Sequence, residues 1–273
     1  MCGLAGVIRN KNKVADWKDI WDSTMLFEKI LVNAQSRGRH ASGYAIINSD
    51  GFNLYKRPIS ASNLIKTKKH LNLMQDNVGH YTHAILGHTR YATQGTPQVS
   101  YNNHPIRVGS IIGTHNGSIW NDNELSDKFN FIRNGQVDSE ILFHLIESCN
   151  LNDFIDNKLP NVNGLISSIW SDIDEPNIIY VLKGNKPLSM VYSSEFDSFF
   201  YASLDEHLKD IKGAYPIELN ENTLYKIDTD GLSMEEYKIN FQSIRPNKIV
   251  REFVPRYNYN ERLENAKRFK LND

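Results

Sequence analysis

The chain has 273 residues, 31 Lys+Arg against 32 Asp+Glu, a formal charge of −1 and 40% hydrophobic residues. Such a composition is ordinary for a globular protein, the length supports one large core or two small ones, and the near-zero balance excludes a whole-protein electrostatic grip on nucleic acid or acidic lipid. No apolar run approaches the ~20 residues that span a bilayer, and the start MCGLAGVIRN has neither a basic leader nor a long apolar stretch. With only Cys2 and Cys149, a disulfide framework is excluded and the reducing cytoplasm is the expected compartment.

Taken in chain order, Val14, Trp17, Trp21, Met25, Leu26, Ile30 and Leu31 recur at three- and four-residue intervals and predict an amphipathic helix from Val14 to Ala34 with that stripe inward. The helix stops at Ser36-Arg37-Gly38. Gly43 to Ile47 and Phe52 to Tyr55 flank Ser49-Asp50-Gly51, whose Asp-Gly pair marks a hairpin. Strand-like runs follow at Ala84 to Leu86 and Ser110 to Thr114. Asp138 opens a second helix through Glu147, with Ile141, Leu142, Leu145 and Ile146 on one side, and Cys149 is expected buried on a helix face.

The second half reads as β-rich, in short runs at Gly164 to Trp170, Asn177 to Leu182, Leu188 to Tyr192, Phe199 to Ala202, Leu224 to Ile227 and Glu235 to Ile239. Antiparallel strands on both sides of two helices imply a layered α+β domain. No internal repeat or low-complexity linker divides it, so one domain is the economical count. From Arg245 to Lys270 basic residues outnumber acidic ones, and Glu261 to Leu271 reads as a helix. This stretch is a surface tail or packing arm, with a partner or oligomer contact as its alternative use.

Cys2 follows Met1 directly, and removal of Met1 would place a thiol and a free α-amine on one residue. The thiol titrates near ~8.5 and the amine near ~7.7–8.0, so the amine can take the thiol proton near neutral pH. That is the logic of an N-terminal nucleophile, although a Cys at position 2 is by itself usually incidental.

The rest of the chain adds six stretches in order: Cys2-Gly3-Leu4-Ala5-Gly6, Arg37-Gly38-Arg39-His40-Ala41-Ser42-Gly43, His88-Thr89-Arg90-Tyr91-Ala92-Thr93-Gln94-Gly95, Asn103-His104-Pro105, His115-Asn116-Gly117 and Asp138-Ser139-Glu140. Their order and spacing resemble the class II glutamine amidotransferase domain, more the glutaminase domain of glucosamine-6-phosphate synthase than that of amidophosphoribosyltransferase. The resemblance covers residues 2–240 and leaves 241–273 as a basic C-terminal extension. It implies an α+β fold, a four-layer αββα sandwich of the N-terminal nucleophile hydrolase type.

It also implies roles. Cys2 would attack the carboxamide carbon of L-glutamine to give a thioester and ammonia, its α-amine serving as base. Asn116, through its side-chain amide, and Gly117, through its N–H, match the oxyanion hole; Asn-Gly is otherwise a turn signal. Arg90 matches the ligand of the substrate α-carboxylate and Thr93 a hydroxyl donor beside it, while Asp138 matches the residue receiving the α-ammonium. Capping its helix is an equally natural use of Asp138. Arg37 matches an arginine that orders the site, and His104 shapes the pocket. The other histidines show no metal-ligand spacing and are expected to pack or hydrogen-bond in the core, so neither metal nor cofactor is expected.

Three positions depart from the pattern. Tyr91 stands for the usual Trp, Gln94 for His, and Leu204 for the acidic residue after Ala202-Ser203. None touches the nucleophile, the oxyanion donors or the zwitterion ligands. No phosphate loop or sugar-phosphate site is evident, so the expected acceptor of ammonia is a separately encoded synthase. Nucleic-acid and membrane partners are not expected; an oligomer is left open. Two other readings compete, a stand-alone amidohydrolase on another amide and a non-catalytic binding or assembly descendant. Arg90 and Asp138 speak against the first, and the presence of Cys2 and Asn116 against the second.

Overall fold

Strand β1 (Gly3–Arg9) is buried along its whole length and is hydrogen-bonded on both sides. In this computed structural model, which describes residues 1–13, 16–211 and 213–244, it lies inside a seven-stranded sheet. The other strands of that sheet are β2 (Ala41–Asn48), β3 (Gly51–Arg57), β4 (Thr82–Arg90), β9 (Ser189–Ser193), β10 (Ser198–Ala202) and β11 (Tyr215–Ile217), in the order β11-β9-β10-β1-β4-β2-β3. A six-stranded sheet of order β13-β12-β8-β7-β6-β5 is built from β5 (Ile106–Val108), β6 (Ile111–Ile119), β7 (Gly164–Asp172), β8 (Ile178–Lys183), β12 (Thr223–Asp228) and β13 (Ser233–Lys238). Every pairing within the two sheets is antiparallel.

Alternation along each strand produces three core layers. On β1, Leu4 and Ile8 face the other sheet and meet Ile112, Ile169, Val181 and Ile227, while Ala5 and Val7 face outward onto helix α1 (Trp17–Ala34). Helices α2 (Ala61–Leu64) and α3 (Lys68–Asn77) complete that outer layer. On the opposite side, α4 (Asp122–Phe129) and α5 (Ser139–Glu147) cover the six-stranded sheet, with Ile141, Leu145 and Phe143 against Trp170, Ile166 and Leu182. The result is a helix–sheet–sheet–helix sandwich, the expected αββα arrangement. The Asp50-Gly51 hairpin and all the strands read from the sequence are present.

Two local expectations are corrected. Helix α1 begins at Trp17, capped by Asp16, whose carboxylate accepts the Asp19 N–H at 2.8 Å. Its inward face is Ile20, Ser23, Thr24, Phe27, Ile30, Leu31 and Ala34, whereas Trp17, Trp21 and Met25 are 65%, 47% and 54% exposed. The cause is Arg9, buried at the end of β1, whose Nη2 donates to Ile20 O at 3.2 Å, Ser23 Oγ at 3.1 Å and Thr24 Oγ1 at 2.7 Å. A buried guanidinium needs acceptors, so hydroxyl residues face the sheet and the helix is turned away from its most apolar stripe. Val14 lies outside the described residues. Cys149, in turn, lies beyond the end of α5 and is half-buried, its thiol donating to Leu145 O at 3.2 Å.

Gln242 still pairs with the domain, its carbonyl accepting Gly164 N–H at 2.9 Å and its N–H donating to Val162 O at 2.9 Å. The basic stretch and the helix expected at Glu261 to Leu271 lie outside the described residues. The turned face of α1 makes a direct prediction for equilibrium denaturation. Phe27→Ala should cost about 3–5 kcal/mol through lost core volume, and Trp21→Ala about 0.5 kcal/mol or less; equal costs would contradict the placement.

Candidate active site

Cys2 stands immediately before β1, so the ladder that fixes Gly3 against Thr89 also fixes the cysteine. The glycine is required: a Cβ on Gly3 would lie 2.6 Å from Thr89 Oγ1 and 2.7 Å from Ala34 O. Arg37, in the short helical turn Gln35–Arg37 that continues α1, donates from Nε to Cys2 O at 2.6 Å. Its Nη2 lies 3.7 Å from Met1 Sδ. The Cys2 thiol donates to Tyr91 O at 3.7 Å. Burial pushes that thiol up, against the opposing pull of the Tyr91 carbonyl bond, the N-terminal charge and Arg90.

A pocket opens in front of the thiol, lined by Cys2, Arg90, Thr93, His104, Gly117 and Asp138 together with Tyr91, Gln94, His115, Val137 and Ser139. Its atom-free space, open mouth included, is about 330 Å3. Six of the eight residues singled out in the sequence therefore share one hollow. Arg37 and Asn116 stand behind it. Arg37 grips the nucleophile's backbone, and Asn116 points its Nδ2 at Ser203 Oγ, 3.3 Å away.

Asn116 and Gly117 are not a turn. They continue β6, paired with Ser167 and Ile166 of β7, and a Cβ on Gly117 would overlap the Leu165 carbonyl. Asp138 does not cap α5 either. It has helical φ and ψ, and its Oδ2 accepts the Ile119 N–H at 2.7 Å, tying the start of α5 to the end of β6. The fold of a carboxylate onto a strand amide outranks the cap because that amide is buried and has no ladder partner of its own.

Arg90 ends β4, buried, and spends its guanidinium on the loop that follows. Nη1 donates to Asn103 Oδ1 at 2.9 Å, and Nη2 to Gly95 O at 2.8 Å and to Gln94 O. Asn103 is held in turn by its own Nδ2 on Pro97 O at 2.6 Å. Lys56, from the β3 hairpin strand, donates to Asn103 O and Pro105 O at 2.8 Å each, and burial lowers it to about 7. Nothing in the sequence marked Lys56, since a lysine on a hairpin strand is usually solvated.

Three buried histidines back the pocket. His115 donates from Nε2 to Leu165 O at 3.3 Å, so its neutral Nδ1 accepts the Ser139 hydroxyl at 2.8 Å. His88 donates from Nε2 to His115 O at 3.2 Å and stacks on His104, ring centroids 4.2 Å apart. Both nitrogens of His104 lack a protein partner. Burial holds His88 at about 3 and His115 at about 4, and places His104 well below the ordinary range. His88 and His115 thus pack and hydrogen-bond in the core, as the sequence suggested. Ser139 and Ser203 were quoted only inside motifs; their partners are remote in sequence, and no local signal marks them. Among the described residues no cluster of three His, Cys, Asp or Glu side chains is placed to hold a metal ion.

No protein-family model matches the chain. It is 26% identical over 236 residues to a 7-cyano-7-deazaguanine synthase of Saccharolobus solfataricus, covering 83% of this chain and 48% of that protein. It is 28% identical over 196 residues to an isomerizing glutamine–fructose-6-phosphate aminotransferase of Acinetobacter baylyi, covering 69% and 29%. The chain thus spans about half, or less, of the length of these curated relatives. Among solved structures, glutamine phosphoribosylpyrophosphate amidotransferase from B. subtilis superposes with a TM-score of 0.65 at 20% identity, over 87% of this chain and 49% of that one. The structures that superpose share the expected αββα fold of the N-terminal nucleophile hydrolases, and Cys2 stands at the head of β1 in it. The aminotransferase and amidotransferase names belong to those relatives; with the solved amidotransferase structures the chain shares the fold.

Neutral buried histidines give a signed pH dependence. His83, also buried, is lowered to about 4, and with His88 and His115 it binds fewer protons folded than unfolded between about 6.5 and 4. Their contribution to stability is full above about 6.5 and is lost as the pH falls toward 3–4. Thermal unfolding should therefore occur at lower temperature at pH 5 than at pH 7, with a smaller drop in His83→Gln. An identical drop in that variant would remove His83 from the linkage.

Proposed function

We propose that the chain hydrolyses L-glutamine to glutamate and ammonia with Cys2 as nucleophile. The observation that carries this reading is that Cys2, Gly117, Arg90, Thr93 and Asp138 all line one pocket. While Met1 is attached, the Cys2 nitrogen is an amide and has no basic lone pair, so the reaction needs the amine that Met1 removal frees. That amine takes the thiol proton, and Sγ attacks the carboxamide carbon. The oxyanion meets the Gly117 N–H and the Asn116 amide, and the proton returns to nitrogen as ammonia leaves. Water then attacks the thioester to release glutamate.

The zwitterionic end of glutamine supplies selectivity. Asp138 offers a carboxylate to the α-ammonium, and Arg90 a guanidinium to the α-carboxylate. A carboxylate in the pocket competes with the carbonyls of Gln94 and Gly95 for Arg90, and a charge-assisted bond is roughly twice as strong as a neutral one. Substrate binding is thereby coupled to re-seating the 91–95 loop. Thr93 adds a hydroxyl, His104 walls the pocket, and Arg37 holds the nucleophile's carbonyl.

In this reading residues 2–240 are the glutaminase domain and 241–273 a basic extension that docks a separately encoded synthase. In the relative named 7-cyano-7-deazaguanine synthase the matched region covers only 48% of the protein, so there it shares one chain with about as much again. Free ammonia is mostly protonated near neutral pH and is then no nucleophile, so a docked acceptor is the effective arrangement. Two free cysteines fit a reducing compartment such as the cytoplasm, and no helix among the described residues is long and apolar enough to cross a membrane.

Mass spectrometry of the active chain should show Met1 missing, and the wild type should release glutamate from glutamine while Cys2→Ala does not. Activity in a chain that retains Met1 would dismiss the proposed base. Arg90→Lys should raise the KM for glutamine about 10- to 100-fold with a smaller change in kcat, because one ammonium does not reproduce two parallel bonds. An unchanged KM would take Arg90 out of substrate binding.

A further inference from the structure

We infer that Ser203 is a positioning residue that sets the Asn116 oxyanion donor against the nucleophile; the inference rests on the glutaminase reading above. Cys2 and Asn116 belong to different sheets, Cys2 ahead of β1 and Asn116 on β6. Their separation depends on how the two sheets are locked together at this end of the sandwich. Apolar packing between sheets is non-directional and fixes a spacing more readily than an angle. Hydrogen bonds supply the angle.

Ser203 follows β10 directly and is fully buried. Its N–H donates to Leu4 O at 3.1 Å, extending the β1–β10 ladder by one pair. Its Oγ accepts the Leu4 N–H at 2.8 Å, so both backbone groups of the residue two beyond Cys2 rest on this serine. The same oxygen accepts from Asn116 Nδ2 at 3.3 Å. One hydroxyl thus links the nucleophile's strand to the oxyanion donor of the opposite sheet.

The geometry has a chemical consequence. The Asn116 amide nitrogen carries two hydrogens, and one is directed at Ser203. Because the amide is planar, the direction of the second is fixed by the first. That second N–H is the donor available to an oxyanion on the substrate. At 3.3 Å the bond to Ser203 is at the long end of the usual range, and bonds of this kind tighten when charge develops beside them. Neither Ser203 nor Asn116 is among the lining residues; Ser203 touches Asn116, which adjoins the lining Gly117, so the serine acts through Asn116 and not on the substrate.

The test is a double-mutant cycle on the full-length chain with Met1 removed. Ser203→Ala should lower kcat for glutamine about 10- to 100-fold, less than the ~10²–10³ lost with an oxyanion donor, and leave KM within about threefold. Asn116→Ala with Ser203→Ala should be no slower than Asn116→Ala alone, since the serine has nothing left to orient. Binding of glutamate, measured by calorimetry, should match the wild type in Ser203→Ala. Should that variant fold poorly, Ser203→Cys, which fills the same space with a weak acceptor, replaces it in every arm. Wild-type kcat in Ser203→Ala, multiplying losses in the double variant, or loss of glutamate binding in step with kcat would each overturn the inference. A wild type that does not cleave glutamine would overturn the glutaminase reading and this inference with it, which separates the two failures.

Discussion

The site depends on the pairing of β1 between β10 and β4. A strand hydrogen-bonded along both edges and buried on both faces has no soft direction in which to move, and Cys2 is the residue in front of it. The side chains that meet the thiol come from segments far apart in the chain. Arg90 ends the neighbouring strand, Gly117 lies on the opposite sheet, and Asp138 stands at the start of the helix that covers that sheet. The pocket is therefore a seam between layers, and its shape is a property of inter-layer packing.

Polar groups complete what packing begins. Asp138 closes α5 onto Ile119, Ser139 meets His115, and Ser203 reaches both Leu4 and Asn116. The bonds of Asp138, Ser139 and Asn116 each join two layers, and that of Leu4 joins two strands of one sheet. The charges are placed sparingly: the histidines are held neutral by burial, so the side-chain cationic character near the thiol comes from Arg37, Arg90 and Lys186.

Much of this was legible in the sequence, for physical reasons that differ by element. Short apolar runs between turn residues marked the strands because alternation follows from the pleat, and Cys2 announced itself by lying next to the chain start. The α1 face misled, because Ser23 and Thr24 read as surface residues until Arg9 is known to lie beneath them. Asn116-Gly117 carries a turn signal yet is strand, since the glycine is demanded by the close approach of Leu165. Ser203 was hidden because its partners are 199 and 87 positions away, a separation that no local pattern encodes.

The arrangement at the first two residues reaches into how the protein is handled. Arg37 holds the Cys2 carbonyl while its outer nitrogen rests near the Met1 sulfur, so the side chain ahead of Cys2 is seated on the arginine that fixes the cysteine. A purification tag fused ahead of the cysteine would keep its nitrogen in a peptide bond. Trimming of Met1 is then the step that would expose the Cys2 nitrogen as an amine.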